Sequence, residues 1–192
     1  MLFLTLWRKI YLGKFGTLKK QLALARWRPL SSPHDPHDRF FKEVLSRREE
    51  AREFLLTYLP QEVAWLLDAD SLELAKDSFV DKELQKHFSD LLYRVNLRDG
   101  RGAYVYLLFE HKSYSEPLIA LDLLRYMVRI WEQWLKQGGT IPLPPIIPWV
   151  VYHGERQWQP ALDFGSLLGV GEPLSSFVPD FRYLLCNLSG YS

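Results

Sequence analysis

Asp90 and the run Glu110-His111-Lys112 are the residues of this chain whose types and spacing could do chemistry. Side chains alternate along an extended strand, so Glu110 and Lys112 share one face and His111 takes the other. The midpoint of 90 and 110 is Gly100, inside the turn-forming run Arg98-Asp99-Gly100-Arg101-Gly102. Asp-Gly tolerates the positive φ that a tight hairpin turn requires. A three-residue loop at 99–101 makes paired residue numbers sum to 200 and sets Asp90 directly across from Glu110. A two-residue loop gives 199, with Asp90 facing Phe109 and diagonal to Glu110. The first register is the one that makes a site.

Directly opposed residues hold their Cβ atoms within about 5.5 Å, where two like charges repel. Two carboxylates so placed need a shared proton, a cationic side chain or a divalent metal. Lys112, two positions along the same face, is suited to neutralise the pair and to hold or deprotonate a water. Hard oxygen ligands with room for water favour Mg²⁺ or Mn²⁺ over zinc. The combination suits phosphodiester hydrolysis, with a metal to activate water and a lysine beside the nucleophile. Glu-x-Lys alone is common on solvated strands. Here Tyr104-Val105-Tyr106-Leu107-Leu108-Phe109 is apolar on both faces, so the charges emerge at the end of a buried strand, where ligand sites in open sheets tend to lie.

The elements that would position this group read as follows. Asp38 is a candidate N-cap after the linker Ser31-Ser32-Pro33-His34-Asp35-Pro36, and the spacing predicts a helix from about Arg39 to Tyr58. Pro60 ends it, and a short helix over Glu62 to Leu67 follows. Strands are expected over Leu72–Val80, Phe88–Asn96 and Tyr104–Glu110. After Pro117 an apolar stripe at Ala120, Leu123, Leu124, Met127, Ile130, Trp131 and Trp134 predicts a long helix over Leu118–Lys136, stopped by Gly138-Gly139. Ile146 to Tyr152 reads as a buried strand after a proline-rich connector, and Tyr183 to Leu188 as a last strand in a turn-rich tail. A long helix between strands fits a mixed α/β (α+β) sheet with a crossover.

The order helix, three antiparallel strands, helix, strand is similar to the PD-(D/E)XK restriction-endonuclease-like core. The surrounding words resemble the recombination-promoting nuclease (YhgA-like putative transposase) family within it. Those words are His37-Asp38-Arg39-Phe40-Phe41-Lys42, Ser89-Asp90-Leu91-Leu92-Tyr93, Leu108-Phe109-Glu110-His111-Lys112-Ser113 and Leu124-Arg125-Tyr126. Val151-Tyr152-His153-Gly154 and Pro179-Asp180-Phe181-Arg182-Tyr183 fit the same pattern. The resemblance covers about residues 33–192. It implies a metal-dependent DNA endonuclease tied to recombination or mobile elements. Asp90, Glu110 and the backbone carbonyl of His111 would then be ligands to Mg²⁺ or Mn²⁺, and Lys112 the catalytic lysine. Ser89 stands where the superfamily name has proline. Relatives usually carry a further C-terminal region, so the domain over 33–192 is expected to be truncated there. The alternative is a catalytically inactive nuclease-fold module that binds DNA or a partner protein. DNA is the expected partner, with a homodimer as one arrangement.

Residues 1–34 carry seven Lys or Arg and no Asp or Glu, so at a net +1 the remainder stands at −6. This basic arm, over 1–32 and outside the resemblance, is suited to phosphates or an anionic surface, or is a solvated leader. Its apolar start precedes its basic residues, the wrong order for a secretory signal, and no run is long enough to span a bilayer. Cys186 is the single cysteine, read as a small core residue in a reducing compartment, so a cytoplasmic protein is expected. Arg125 and Arg129 lie one turn apart and could clamp phosphates, or form a salt bridge to Asp122 or Glu132. Glu43 or Glu49 could supply a further acid, or simply face water. The His34-Asp35-Pro36-His37-Asp38 cluster reads as a helix start ahead of a metal site, and His153 as a turn residue. No phosphate-binding glycine loop, Gly-x-Ser-x-Gly or paired-cysteine motif is present, so no nucleotide cofactor, hydrolase triad or zinc finger is expected.

Overall fold

Strict alternation in β2 and β3 gives this sheet two apolar faces, and each finds a helical cover. The computed structural model describes residues 42–75, 91–110, 116–152 and 157–187, with Phe109 and Glu110 described through their backbone alone. The strands are β1 (Leu67–Leu74), β2 (Leu91–Leu97), β3 (Gly102–Glu110), β4 (Ile146–Tyr152) and β5 (Leu184–Asn187), lying side by side in chain order. β1, β2 and β3 form an antiparallel meander. β4 runs parallel to β3, and β5 parallel to β4. A parallel pair needs a crossover, and helix α3 (Ile119–Lys136) supplies it. This is the mixed α+β sheet that the element order predicts, consistent with a PD-(D/E)XK-like core.

One face carries Leu91, Tyr93, Val95, Ala103, Val105, Leu107, Trp149 and Val151. Against it pack Ala51, Phe54 and Leu55 of helix α1 (Arg48–Tyr58), and the Phe54 ring stacks on Trp149 at 5.3 Å. The opposite face carries Leu92, Tyr104, Tyr106, Leu108 and Val150, covered by Ile119, Leu123, Tyr126, Met127 and Ile130 of α3. Every described β3 side chain from Ala103 to Leu108 is buried, so β3 is an internal strand, as its composition predicts. No helix among the described residues is long and apolar enough to cross a membrane.

Three elements depart from the sequence reading. The long first helix is broken: residues 42–45 make one helical turn, Arg47 is extended at φ −87 and ψ 130, and α1 starts at Arg48. Two hydrogen bonds explain the break. The Ser46 hydroxyl bonds back to the Lys42 carbonyl, and the Leu45 carbonyl accepts from the buried Tyr93 hydroxyl, so tertiary contacts override local periodicity. The expected cap at Asp38 and the linker before it lie outside the described residues. The second helix, α2 (Gln61–Ala64), is shorter than expected because Leu67 is drawn into the core as the first residue of β1.

β1 therefore begins five residues ahead of the expected Leu72 and ends at Leu74; residues 76–80 of the expected strand are outside the described set. Its pairing with β2 jumps from Asp68↔Asn96 to Glu73↔Arg94, a bulged break in the register. Ser71 ties the bulge down, its hydroxyl donating to the Asp68 carbonyl and accepting from the Asn96 N–H at 2.8 Å. From α1, Arg52 pairs with the Asp70 carboxylate at 2.9 Å and Arg48 donates to the Asp70 carbonyl.

Candidate active site

Glu110 is the last residue of β3, and its backbone pairs with Tyr152 on β4. β2 starts at Leu91, paired with Leu107. Six successive β2–β3 pairs, from Leu91↔Leu107 to Asn96↔Gly102, keep one register. Their numbers sum to 198, which corrects the expected 200. The loop has the expected three residues but spans 98–100, closed by Leu97 N–H donating to the Arg101 carbonyl at 2.6 Å.

The displacement has a local cause. Gly100, at φ +88, occupies the last loop position, where the left-handed conformation is needed, and not the middle one. Asp99 then reaches forward to Arg101, accepting from its backbone N–H at 3.0 Å and from its guanidinium at 2.9 and 2.7 Å. The guanidinium hydrogen bond holds the Asp99 carboxyl below the usual carboxylate range, aided by the backbone N–H of Arg101. The described pairs end at Leu91↔Leu107, short of Asp90 and Glu110. Asp90, His111 and Lys112 lie outside the described residues, and Glu110 is described by its backbone only.

Around this end of the sheet the side chains are closely packed. Tyr152 is fully buried and meets the Trp158 ring edge-on at 4.9 Å; Trp158 in turn meets Tyr183 at 6.4 Å. Burial pushes the Tyr183 phenol up to about 12. The run Pro179 to Tyr183 is a clasp on the loop before it. Asp180 accepts from the Gly165 N–H at 3.1 Å, Phe181 stacks on Phe164 at 5.5 Å, and the Tyr183 hydroxyl donates to the Ala161 carbonyl at 2.7 Å. Asp163 caps the same turn by accepting from the Ser166 N–H and hydroxyl, which lowers its pKa. These aromatic and acidic residues hold the shape of the tail. His153 and Gly154 are outside the described residues.

The other candidates separate clearly. Arg125 is bound to Asp122 at 2.8 Å, the salt bridge weighed against a phosphate clamp, and Arg129 is half-buried one turn further on. Glu43 and Glu49 are exposed. Among the described residues no group of three or more His, Cys, Asp or Glu could hold a metal ion. Sequence reading passed over Asp68 and Asp70, an i, i+2 carboxylate pair on β1; they line an open groove of about 530 Å³ with Arg52 and Arg98. Asp70 is already neutralised by Arg52, so the pair is an anchor for α1.

A family described as "Putative transposase, YhgA-like" matches residues 35–192. "Recombination-promoting nuclease RpnD" of Escherichia coli O157:H7 is 38% identical over 125 residues, 65% of this chain and 48% of that protein. "Recombination-promoting nuclease RpnA" of Escherichia coli K12 is 39% identical over 119 residues, 62% of this chain and 40% of that protein. "Inactive recombination-promoting nuclease-like protein RpnE" of the same strain is 35% identical over 131 residues, 68% and 43% respectively. The chain thus spans under half the length of these curated relatives. No solved structure matches it.

Proposed function

The chain belongs to the YhgA-like family of putative transposases, and from that premise we propose that it is a metal-dependent DNA endonuclease serving recombination or mobile elements. Asp90 and Glu110, with the His111 carbonyl, form the ligand set, and Lys112 is the catalytic lysine. The donors are hard oxygens, which fits Mg²⁺ or Mn²⁺ and does not fit a thiolate metal. When bound, such an ion polarises a phosphoryl oxygen and lowers the pKa of water. Lys112 orients the attacking water, takes or shares its proton, and offsets the charge of the two acids. Arg125 and Arg129 are reserve phosphate contacts, with Arg125 released from Asp122 on binding. A lone buried cysteine suits a reducing environment, which supports a cytoplasmic location.

The observation that carries this reading is that β3, whose side chains from Ala103 to Leu108 are all buried, ends at Glu110, so that residue stands at the end of an internal strand. The experiment is plasmid cleavage in Mg²⁺ by the wild type, Asp90→Ala and Lys112→Ala. Loss of cutting in both variants is the expected result; two variants that cut like the wild type would refute the assignment.

A second reading is favoured by the name of one relative, which calls RpnE inactive. In that reading the chain binds DNA or a protein without cutting. DNA binding that needs no metal, with no cleavage in Mg²⁺ or Mn²⁺, would select it.

A further inference from the structure

At the hairpin end of the sheet, away from Glu110, the cover of α3 runs out. Leu92 is buried, but Arg94 on the same face of β2 is exposed. The connector from Thr140 to Pro145 returns there to β4 and walls a pocket of about 260 Å³. Its floor is the Tyr104 ring, edge-on to Trp134 at 6.5 Å, and its rim is Arg94, Arg101, Ile141 and Leu143.

The connector has no regular structure, yet it is pinned at three points. The Trp131 indole N–H donates to the Pro144 carbonyl at 2.8 Å, the Trp134 indole N–H to the Thr140 carbonyl at 3.3 Å, and the Tyr104 backbone N–H to the Pro145 carbonyl at 2.9 Å. The wall is preformed, and it holds Ile141 82% exposed and Leu143 39% exposed. Among the described residues no carboxylate lines the pocket. Arg101 is engaged by Asp99, whereas Arg94 makes no ion pair among the described residues, although Glu73 lies opposite it on β1. A pinned apolar notch beside a cation that makes no ion pair among the described residues is complementary to an apolar group carrying negative charge.

We propose that this notch docks a partner protein through a segment in which an apolar side chain is flanked by acidic residues. The apolar side chain enters between Trp134 and the proline wall, and a carboxylate meets Arg94. The volume lies below the ~300–1,000 Å³ of a small-molecule site and suits one large side chain. Its apolar lining is a poor match for a sugar–phosphate backbone. Short apolar anchors with charged flanks are a common mode of peptide capture. The proposal stands independently of the nuclease reading, since it uses none of those residues.

The test is fluorescence anisotropy of the full chain with a fluorescein-labelled peptide bearing a central Leu-Phe pair among aspartates. Control peptides replace the aspartates with lysines, or Leu-Phe with serines. The acidic-apolar peptide is expected to bind roughly ten-fold tighter than either control. Arg94→Gln and Ile141→Ser, both at exposed positions, should each remove that preference. Three results overturn the proposal: peptide binding unchanged in both variants, an oligo-dT strand bound in its place and lost in Arg94→Gln, or self-association in sedimentation that Ile141→Ser abolishes. The last two would give the notch to nucleic acid or to a second copy of the chain.

Discussion

Replacing Tyr93 by phenylalanine removes a single oxygen, and its effect on stability should change sign with pH. Tyr93 is 1% exposed, and its hydroxyl donates to the carbonyl of Leu45, itself 3% exposed. That carbonyl sits where the first helix breaks, so the variant leaves a buried acceptor without this donor. The penalty for such a group is about 1–3 kcal/mol. Taking about 2 kcal/mol, and about 2–4 °C per kcal/mol for a chain of this size, the Tm at pH 7 should fall by about 4–8 °C.

Alkali brings in a second effect. Burial pushes the Tyr93 phenol far above its ordinary value of 10.0. The folded state keeps its proton while the unfolded state loses it, so this tyrosine's contribution is complete below pH 10 and declines as pH rises further. The decline is about 1.4 kcal/mol per pH unit in the wild type and absent in Tyr93→Phe. The gap of about 2 kcal/mol should therefore close near pH 11.5. Urea denaturation of both proteins at several pH values between 7 and 12 measures it. A gap that stays constant with pH, or a variant as stable as the wild type at pH 7, would refute the reasoning.

Trp149→Ala should cost about 3–5 kcal/mol in urea denaturation, because a 1% exposed indole that stacks on Phe54 joins α1 to the sheet. The Cys186 thiol, 8% exposed, is pushed up to about 12 by burial. Its contribution to stability is therefore whole below pH 9 and lost between 9 and 12; native protein at pH 8.5 should react slowly with iodoacetamide, and fast labelling without denaturant would contradict this burial. Gly139→Ala would bring a Cβ within 2.2 Å of the Trp134 indole, a ring held by Thr140, so thermal melts should show a loss of about 1–3 kcal/mol. At Gly102 an added Cβ meets nothing within 4 Å, and its alanine variant is the matched control.

Where burial dictates pattern, the sequence was readable. Ile146–Tyr152 is a strand with the expected limits, and α3 starts one residue after the expected Leu118 and ends at Lys136. Both have unbroken apolar patterns that no other contact disputes. β1 was misplaced because Leu72 to Val80 alternates only loosely, while the run from Leu67 owes its strand conformation to a bulge held by Ser71 and two α1 arginines. The helix break at Ser46 and Arg47 depends on Tyr93, 48 residues from Leu45 along the chain, and no local window contains that contact. The hairpin register was missed by two for a similar reason. Asp-Gly marks a turn, but the Asp99–Arg101 clasp decides which loop position the glycine fills. Of the candidate site, the buried strand that leads to Glu110 was legible from composition; Asp90, His111 and Lys112 lie outside the described residues.

The bulged margin of the sheet has a bearing on assembly. Along β1 the break in pairing between Asp68 and Glu73, with arginines fastened over Asp70, interrupts the row of amides and carbonyls that another polypeptide would need as a template. β5 is only four residues long but runs in even register with β4, and among the described strands it is the other margin of the sheet. Among the described strands, lateral extension of the sheet by another stretch of polypeptide or a neighbouring molecule has its regular foothold along β5 and not along β1.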